Sequence, residues 1–487
     1  MSKTVCFITR NFGKYDPDSL KGYESIGGFR ALRKALTMEG CDIADVLAAN
    51  GVQGRGGAAY DMGKKWRQAR EVPGAHKCVV CNADEGEPGT FKDRELLTHD
   101  PFQLLEGMII AGIATQAHQG YIYVRAEYPL AVSRLKAAIA KAEEYGLLGD
   151  HVMGTDFSFR IHVNMGAGAF VCGEGSALTA SIEGNRGMPR VKPPRTIEHG
   201  LWAEPTVLNN VETFANVPLI IRKGVDWYRS IGTKTSPGTK AFALTGNVVN
   251  TGLIEVPMGT TIREVVFDIG GGIRGGKKFK AVQIGGPSGG ATTASREHLD
   301  LPLDFDSLKS IGAMIGSGGL VVMDEDTCMV ETARFFMEFT QKESCGKCVP
   351  CREGTKRMLE ILDRIIDNKG TLEDLDLLEE LADTISKTAL CGLGQSACKP
   401  VQSTLKYFRD EYLAHVVDHH CPICNKEKPH PTIDPEKCKG CGKCRKNCPM
   451  EAITGAAKQV HVIDPEKCIN CGACVTNCPF GAIAASK

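Results

Sequence analysis

The sequence predicts a multidomain protein whose largest part is an α/β fold on a mostly parallel sheet. Three observations lead to this fold class. Between residues 51 and 235, candidate strands alternate with candidate helices, as in parallel sheets whose strands are joined by helical crossovers. Residues 236–328 hold short glycine-rich strands, and residues 329–418 are helical. Residues 434–487 contain one motif twice, thirty residues apart, which indicates a small duplicated module.

Length and composition exclude several classes of protein. A chain of 487 residues is too long for one hydrophobic core, so several domains are expected. Lys plus Arg and Asp plus Glu both total 58, which argues against a general nucleic-acid binder because such a protein needs a cationic face. No apolar run reaches the ~18–20 residues of a membrane helix, and no secretory signal is evident. We therefore expect a cytoplasmic protein with no membrane partner.

Six segments are predicted along the chain. A helical lead-in over residues 1–50 contains an amphipathic helix at 27–40 that Gly40 closes. The remaining segments are an α/β domain (51–235), a β-rich domain (236–328), a four-helix bundle (329–418), a linker (419–433) and the duplicated module (434–487).

Periodicity places the individual elements within these segments. The α/β domain has strand candidates at 77–83, 119–125 and 159–165, with helix candidates at 101–117 and 129–146. The β-rich domain has strand candidates at 241–249, 252–259, 280–286 and 318–324, with a helical piece at 261–269. The bundle helices are expected at 331–344, 352–370, 371–390 and 399–417.

The duplicated module carries cysteines at metal-binding spacing. A large chain with 21 cysteines and no secretory signal favours metal over disulfides. The pattern C-x2-C-x2-C-x3-C-P occurs twice, as in bacterial ferredoxins, where the fourth cysteine of each run ligates the other cluster. One [4Fe–4S] cluster would take Cys438, Cys441, Cys444 and Cys478, and the other would take Cys468, Cys471, Cys474 and Cys448. Zinc ribbons and disulfides are the alternatives.

Two further cysteine groups lie upstream of this module. Cys345, Cys348 and Cys351 occupy a C-x2-C-x2-C loop between two helices, with Cys391 as the natural fourth ligand and Cys398 as its competitor. A zinc site on the same residues is the alternative to a [4Fe–4S] cluster. In the linker, Cys421 and Cys424 form a short C-x2-C pair. This pair either holds zinc, completed by His420, His430 or a ligand elsewhere, or consists of unligated thiols.

Three loops of the α/β domain favour a nucleotide-like cofactor. Residues 54–57 read Gly-Arg-Gly-Gly and lead into a helix with Lys64 and Lys65. Such a loop lets backbone N–H groups approach a phosphate, while the helix dipole and the lysines balance its charge. The acidic loop at 81–94 needs a polar ligand or a cation, and a second glycine-rich loop spans 165–178.

Five motifs in this order carry a family resemblance: GRGGAAYDMGKKW, NADEGEPGTFKDR, GAGAFVCGEGSAL, PTVLNNVETFANVP and SCGKCVPCREG. Over residues 45–415 they resemble the flavin-bearing NADH-oxidising subunit of respiratory complex I. With the ferredoxin module, the chain is more similar to the corresponding subunit of soluble electron-bifurcating NAD(P)-dependent hydrogenases and transhydrogenases. The resemblance implies a Rossmann-like FMN domain, a ubiquitin-like SLBB β domain and one [4Fe–4S] cluster in the helical bundle. It also slightly favours zinc at the linker pair.

The resemblance assigns roles to single residues. The FMN phosphate and ribityl chain would be held by Gly54, Arg55, Gly56, Gly57 and Lys65. The flavin ring and ribityl hydroxyls would be contacted by Asn82, Asp84, Glu85, Asn209, Asn210 and Thr213. Glu87 and Lys192 would face the dinucleotide, and Gly173 with Glu174 would form part of the nicotinamide floor. FMN would carry the chemistry, supported by Glu85, Glu87 and Glu174.

The dinucleotide site departs from the family pattern. Gly175 stands where a second glutamate is usual, Arg195 and Gln68 replace two aromatic residues, and Tyr60 keeps a third stacking position. A lost carboxylate and a gained guanidinium favour a 2′-phosphate, and hence NADP, over NAD. The alternative is a relay subunit that keeps FMN and the clusters but binds no dinucleotide.

The resemblance also implies partner proteins. With about fifty residues before the first glycine loop, the chain is expected to lack the thioredoxin-like [2Fe–2S] domain of some family members, so a companion subunit would supply it. The electrons would finally reach a hydrogenase, a second flavoprotein or a formate dehydrogenase subunit, with ferredoxin as a further partner. The ferredoxin module argues against a membrane-attached complex I subunit.

Overall fold

The computed structural model describes residues 5–74, 76–424, 431–465, 467–468 and 471–484. They form two compact units, one within residues 1–419 and one within residues 420–487. Among the helices in these ranges, none has the length and apolar character needed to cross a membrane.

The predicted lead-in consists of three short helices, α1 (Leu20–Ser25), α2 (Arg30–Ala35) and α3 (Gly40–Asn50). Their apolar side chains belong to the same hydrophobic core as the first sheet. The prediction that Gly40 closes a helix is wrong, because Gly40 begins α3. A Cβ at this position would lie 2.6 Å from the carbonyl oxygen of Ile113, so close packing against a neighbouring helix explains the glycine.

The first sheet is parallel throughout, which confirms the predicted α/β class. Its strands are β1 (Cys78–Ala83), β2 (Gln119–Arg125), β3 (Arg160–Gly166) and β4 (Thr206–Asn210), in the order β3-β2-β1-β4. The helices around it are α4 (Met62–Glu71), α5 (Lys92–His99), α6 (Pro101–Thr115), α7 (Pro129–Glu144), α8 (Gly175–Ile182), α9 (Val211–Lys223) and α10 (Val225–Arg229). Helix α6 is buried along almost its whole length, as expected for a helix that is apolar on all sides.

The short strands predicted after residue 236 lie in one mixed sheet. They are β5 (Thr239–Gly246), β6 (Gly252–Pro257), β7 (Phe279–Ile284), β8 (Gly290–Ala291) and β9 (Gly319–Asp324), in the order β6-β5-β9-β7-β8. Only β5 and β9 pair in parallel among these strands. The helical piece expected at 261–269 is a π-helix over Glu264–Ile269, and α11 (Arg296–Leu299) and α12 (Phe305–Ser310) follow.

The region after β9 is helical, as predicted. It contains α13 (Met329–Glu343), α14 (Val349–Ile366), α15 (Leu372–Thr388), α16 (Gly392–Ser396), α17 (Lys399–Tyr407) and α18 (Arg409–Val416). The single helix expected at 399–417 is broken at Phe408, whose φ is −132° and ψ 36°. The break lets the buried hydroxyls of Thr404 and Tyr412 approach to 2.8 Å.

The second unit repeats one small motif. Its elements are β10 (Thr432–Ile433), α19 (Lys443–Lys446), β11 (Ile453–Thr454), β12 (Val462–Ile463), α20 (Ala473–Asn477) and β13 (Ile483–Ala484). Strand β10 pairs with β13, and β11 pairs with β12, both antiparallel. The first strand of each repeat therefore pairs with the last strand of the other, so the two halves fold as one module.

Candidate functional site

Several of the predicted flavin residues meet at the carboxyl edge of the first sheet. Asn82 and Asn210 are register partners near the ends of the parallel strands β1 and β4. Asn210 also caps helix α9, because its side chain accepts the N–H of Glu212. Asn82 donates to the carbonyl oxygen of Gly173 at 2.9 Å. In doubly wound α/β folds, ligands bind at this edge.

The glycine loop at residues 54–57 lies directly against this edge. A Cβ at Gly56 would be 2.8 Å from the Cβ of Asn210, and Gly57 has a φ of +110°. The N–H of Arg55 donates to Thr213 Oγ1 at 2.9 Å. At Gly56 only glycine allows the observed approach to Asn210, and the loop fits the phosphate role assigned to it.

The side chain of Arg55 points away from that cradle. Its guanidinium is fully buried, donates to Pro237 O at 2.7 Å and to Tyr228 Oη at 3.2 Å, and lies over the ring of Phe305. The backbone of Arg55, rather than its charge, faces the loop. This arrangement joins the loop to Pro237 and Phe305, which lie outside the strands of the second sheet.

Unlike the guanidinium of Arg55, the ammonium of Lys65, on α4, lies close to the loop. Its Nζ donates to Leu208 O at 2.9 Å and lies 5.8 Å from the ring centre of Tyr60. Burial, and to a smaller extent the nearby ammonium of Lys192, together lower the pKa of Lys65 to about 8. A phosphate beside Lys65 would relieve this cost by favouring the charged form.

This shift predicts how FMN affinity depends on pH. Below about pH 8 Lys65 is already charged, so affinity should be flat with respect to this group. Above that pH, binding of the phosphate requires proton uptake, and affinity should fall by up to about tenfold per pH unit. Flavin fluorescence quenching across this range measures the effect. Lys65→Arg should remove the decline, and an unchanged decline in Lys65→Met would contradict the assignment.

The carboxylates of the acidic loop after β1 differ in whether they have hydrogen-bond partners within the described structure. Neither carboxylate oxygen of Asp84 has a partner within the described structure, although both are buried, and burial raises the pKa of Asp84 to about 7. Glu85 instead accepts the N–H groups of Asp93 and Arg94 at the start of α5. Asp84 is thus the carboxylate left to meet a ligand, which fits the hydroxyls of a ribityl chain.

Glu87, predicted to face the dinucleotide, is held by the second sheet. It is buried and accepts the hydroxyl of Ser317 at 2.5 Å and the N–H of Gly319 at 3.0 Å. Ser317 carries no sequence motif that would have identified it. The structure therefore gives Glu87 a part in fixing the acidic loop.

A buried charge network below the loops was also missed. Lys92 lies 2.6 Å from Asp93 and 3.2 Å from Glu212, and Lys240 lies 2.6 Å from the same Glu212 carboxylate, with all of these side chains almost completely buried. Asn210 donates to Asp93 at 2.7 Å. The network thereby links the second sheet, through Lys240, to the residue that caps α9.

The predicted dinucleotide residues surround the start of α8. Glu174 accepts the N–H groups of Ser176 and Ala177 and forms an ion pair with Lys192 at 2.5 Å. A Cβ at Gly175 would lie 3.5 Å from the nearest atom of Thr196, which is an ordinary packing distance. Packing around the Cβ position therefore does not require glycine here.

The outer part of this region is exposed. Tyr60 donates to Gln68 at 2.9 Å and is 37% exposed, so it offers a ring face for stacking. Arg195 is exposed, and its backbone N–H donates to Glu198 at 2.7 Å. A ligand at this surface would therefore meet the exposed guanidinium of Arg195.

The bundle cysteines meet around one cavity. It is lined by Cys345, Cys348, Cys351 and Cys391, together with Val171 and other apolar residues. Cys398 lies elsewhere, with its Sγ 3.5 Å from Met358 Sδ. Of the two candidates for the fourth ligand, Cys391 is therefore the one placed with the other three, and four thiols of this kind suit a cubane cluster.

The second unit has two such cavities, and their linings follow the crossed ligand sets. One is lined by Cys438, Cys441, Cys444 and Cys478, and the other by Cys448, Cys468, Cys471 and Cys474. In the linker, the N–H of Cys424 donates to Cys421 Sγ at 3.3 Å, a turn that brings the two thiols together. His430 lies outside the described residues.

Three family models match consecutive parts of the chain. The Nuo51 FMN-binding domain matches residues 47–219, and the NADH-ubiquinone oxidoreductase-F iron-sulfur binding region matches residues 331–415. The 4Fe-4S dicluster domain matches residues 437–482. The models thus cover the carboxyl edge of the first sheet, the bundle cysteines and the duplicated module.

Relatives match the chain over most of its length. The NADP-reducing hydrogenase subunit HndC of Solidesulfovibrio fructosivorans is 52% identical over 94% of this chain and 93% of its own. The F 2 subunit of the NADH-quinone oxidoreductase of Rhizobium meliloti (strain 1021) is 45% identical over 85% of this chain and 99% of its own. A crystal structure of NAD+-reducing [NiFe]-hydrogenase in the H2-reduced state superposes with a TM-score of 0.74, at 35% identity over 82% of this chain and 67% of that one.

Proposed function

Because this chain belongs to the family of FMN-binding, iron–sulfur oxidoreductase subunits that includes HndC of NADP-reducing hydrogenase and the F subunits of NADH-quinone oxidoreductases, we propose that it oxidises or reduces NAD(P)(H) within an electron-bifurcating complex. One observation carries this proposal. The turn at Phe170–Gly173 reaches from Asn82 at the flavin edge to the cysteine cavity, which Val171 helps to line. A flavin and a cluster placed in these two sites would be neighbours.

The domain assignment follows the same reasoning. We assign FMN and dinucleotide binding to residues 51–235, an SLBB-like β domain to 236–328 and a cluster-bearing helical bundle to 329–418. The mixed five-stranded sheet and the helices α13–α18 support the second and third assignments. Residues 419–433 would be a linker and 434–487 a two-cluster ferredoxin module.

FMN fits the residues present at the sheet edge. The backbone of the 54–57 loop and Lys65 would hold its phosphate, Asp84 would accept ribityl hydroxyls, and Asn82 and Asn210 would lie at the ring. Bound FMN would supply the conversion between hydride transfer at the nicotinamide and single-electron transfer to the clusters. The chain itself keeps the acidic loop fixed through Glu85 and Glu87 and excludes water with the packed residues around the turn.

We propose NADP as the preferred dinucleotide. Gly175 removes a negative charge from a position where a Cβ would make only ordinary contacts, and Arg195 supplies an exposed guanidinium that can pair with a 2′-phosphate. The competing proposal is a relay subunit that binds no dinucleotide. Whether NADPH or NADH reduces the flavin decides between the two proposals.

Cofactor content tests the cluster assignment. Three [4Fe–4S] clusters require about twelve iron atoms per chain, and anaerobically reconstituted protein should contain them with about one FMN. Cys391→Ser should lose about four irons, while Cys398→Ser should lose none. Eight irons or fewer in the unaltered protein, or equal losses in the two variants, would overturn the assignment. Iron analysis and EPR spectroscopy provide the readouts.

The partners follow from the electron path. We propose a companion subunit with a thioredoxin-like [2Fe–2S] domain, a catalytic hydrogenase or flavoprotein subunit, and ferredoxin, all in the cytoplasm. Zinc at Cys421 and Cys424 stays a proposal, supported by the turn that brings these thiols together.

A further inference from the structure

The turn at Phe170–Gly173 is fixed from two sides. On the flavin side, Asn82 donates to Gly173 O at 2.9 Å, and Phe170 packs so closely on Gly86 of the acidic loop that a Cβ there would be 3.0 Å from its ring. On the other side, the turn contacts helix α13. The turn is therefore a bridge between the acidic loop and the helix that precedes Cys345.

Glu343 makes the polar contact on the helix side. It is the last residue of α13, two positions before Cys345, and its carboxylate accepts the N–H of Phe170 at 2.7 Å. One turn earlier on the same helix, Phe339 meets Phe170 edge to face, with ring centres 5.3 Å apart. Hydrogen bonds to a carboxylate are among the stronger hydrogen bonds in proteins. Glu343 therefore fixes the position of the turn relative to the cluster loop, the loop that begins at Cys345.

The space beside this contact is apolar. Val171 and Cys172 pack with Tyr123, and Cys345 joins the same hydrophobic cluster. Val171 also lines the cavity of the four cysteines. Packed side chains thus lie between the carboxyl edge of the first sheet and that cavity. The rate of electron transfer between a flavin and a cluster bound on either side would depend steeply on the distance between them.

The negative charge of Glu343 also reaches the flavin side. Its carboxylate is among the charges that act on Asp84, although burial is the main reason for the raised pKa of that group. A charge placed two residues from a cluster ligand also acts on the cluster, since reduction potentials follow the net charge around the sulfurs. Glu343 therefore affects both sites by position and by charge.

We propose that Glu343 is a positioning residue for electron transfer between the flavin and the Cys345 cluster, holding the Phe170–Gly173 turn against the cluster loop and lowering the potential of that cluster. This inference rests on the proposed function. The step it serves moves one electron from reduced flavin to the oxidised cluster, so that the flavin is oxidised by one electron and the cluster is reduced by one. No bond to the protein forms or breaks.

Three variants of the full, cofactor-loaded chain test the inference. Glu343→Ala removes both contact and charge, Glu343→Gln keeps an acceptor oxygen but removes the charge, and Glu338→Ala removes a carboxylate of the same helix that pairs with Arg334 and Lys342 at the surface. Flavin and iron are measured first. Anaerobic stopped-flow spectroscopy then follows cluster reduction after mixing with nucleotide, and EPR-monitored titration gives the cluster potential.

We expect cluster reduction to slow by about tenfold in Glu343→Ala, because a charged hydrogen bond of this kind is lost. Glu343→Gln should stay within about threefold of the unaltered chain, since a neutral acceptor remains. The cluster potential should rise in both variants and stay unchanged in Glu338→Ala.

Because both variants lose the charge of Glu343, an equal rate in Glu343→Ala and Glu343→Gln with full cofactor content would overturn the positioning role. An unaltered cluster potential in Glu343→Gln would overturn the electrostatic role, even if Glu343→Ala loses its cofactors. If the unaltered chain holds flavin and clusters but no nucleotide reduces it, the proposed function fails, and photoreduction of the flavin in the same variants still decides the inference.

Discussion

Protein carrying Gly56→Asp is expected to purify without flavin while keeping the iron of the duplicated module. A side chain at residue 56 would enter the space of Asn210, since even a Cβ would lie 2.8 Å from the Cβ of that residue. The added carboxylate would also repel the phosphate that the loop is assigned to hold. The ratio of flavin to protein after reconstitution with excess FMN, together with iron analysis, measures the effect.

Gly54→Ala provides the matched control for this variant. A Cβ at Gly54 would lie 3.5 Å from the nearest atom, the carbonyl oxygen of Tyr60, so the loop should accept it and keep its flavin. Full flavin occupancy in Gly56→Asp would show that the phosphate binds elsewhere. Loss of flavin from both variants would mean that the loop tolerates no change, which the packing at Gly54 does not predict.

The double variant Gly175→Glu with Arg195→Phe should shift the preference from NADPH towards NADH by about one to two orders of magnitude. The glutamate would place a like charge beside a 2′-phosphate, while the phenylalanine would remove its pairing partner and restore a ring for adenine stacking. A Cβ at residue 175 would make only ordinary van der Waals contacts, the nearest at 3.5 Å from Thr196. Because Arg195 is exposed, the shift should weaken at high salt.

Steady-state kinetics with both nucleotides on the two single variants and the double variant separate the contributions. Each single change should move selectivity in the same direction, and their effects should be close to additive if the two side chains act independently. Unchanged selectivity with intact flavin would place the discriminating residues elsewhere.

Local patterns predicted most of the fold. Parallel β1, β2 and β3 follow from alternating strand and helix signals, and the crossed linings of the two cysteine cavities follow from spacing alone. Strand β4 was not predicted, because Thr206–Asn210 is short and ends in two polar residues. The break at Phe408 also escaped prediction, since the amphipathic pattern continues across it.

Contacts between distant segments could not be predicted. Glu87 is held by Ser317, 230 residues away, and no local pattern announces such a pair. The same holds for the carboxylate of Glu212, which meets Lys92 from α5 and Lys240 from β5. The family resemblance assigned Glu87 and Arg55 to ligands, whereas the structure engages both side chains with the region of the second sheet.

Anaerobic titration of the reconstituted chain with NADPH and with NADH tests the central claim most directly. We expect nucleotide to bleach the flavin absorbance and EPR signals of reduced [4Fe–4S] clusters to appear in the same sample, with NADPH effective at lower concentration than NADH. If neither nucleotide bleaches the flavin, although dithionite reduces both the flavin and the clusters, the chain is a relay without dinucleotide chemistry and does not oxidise or reduce NAD(P)(H).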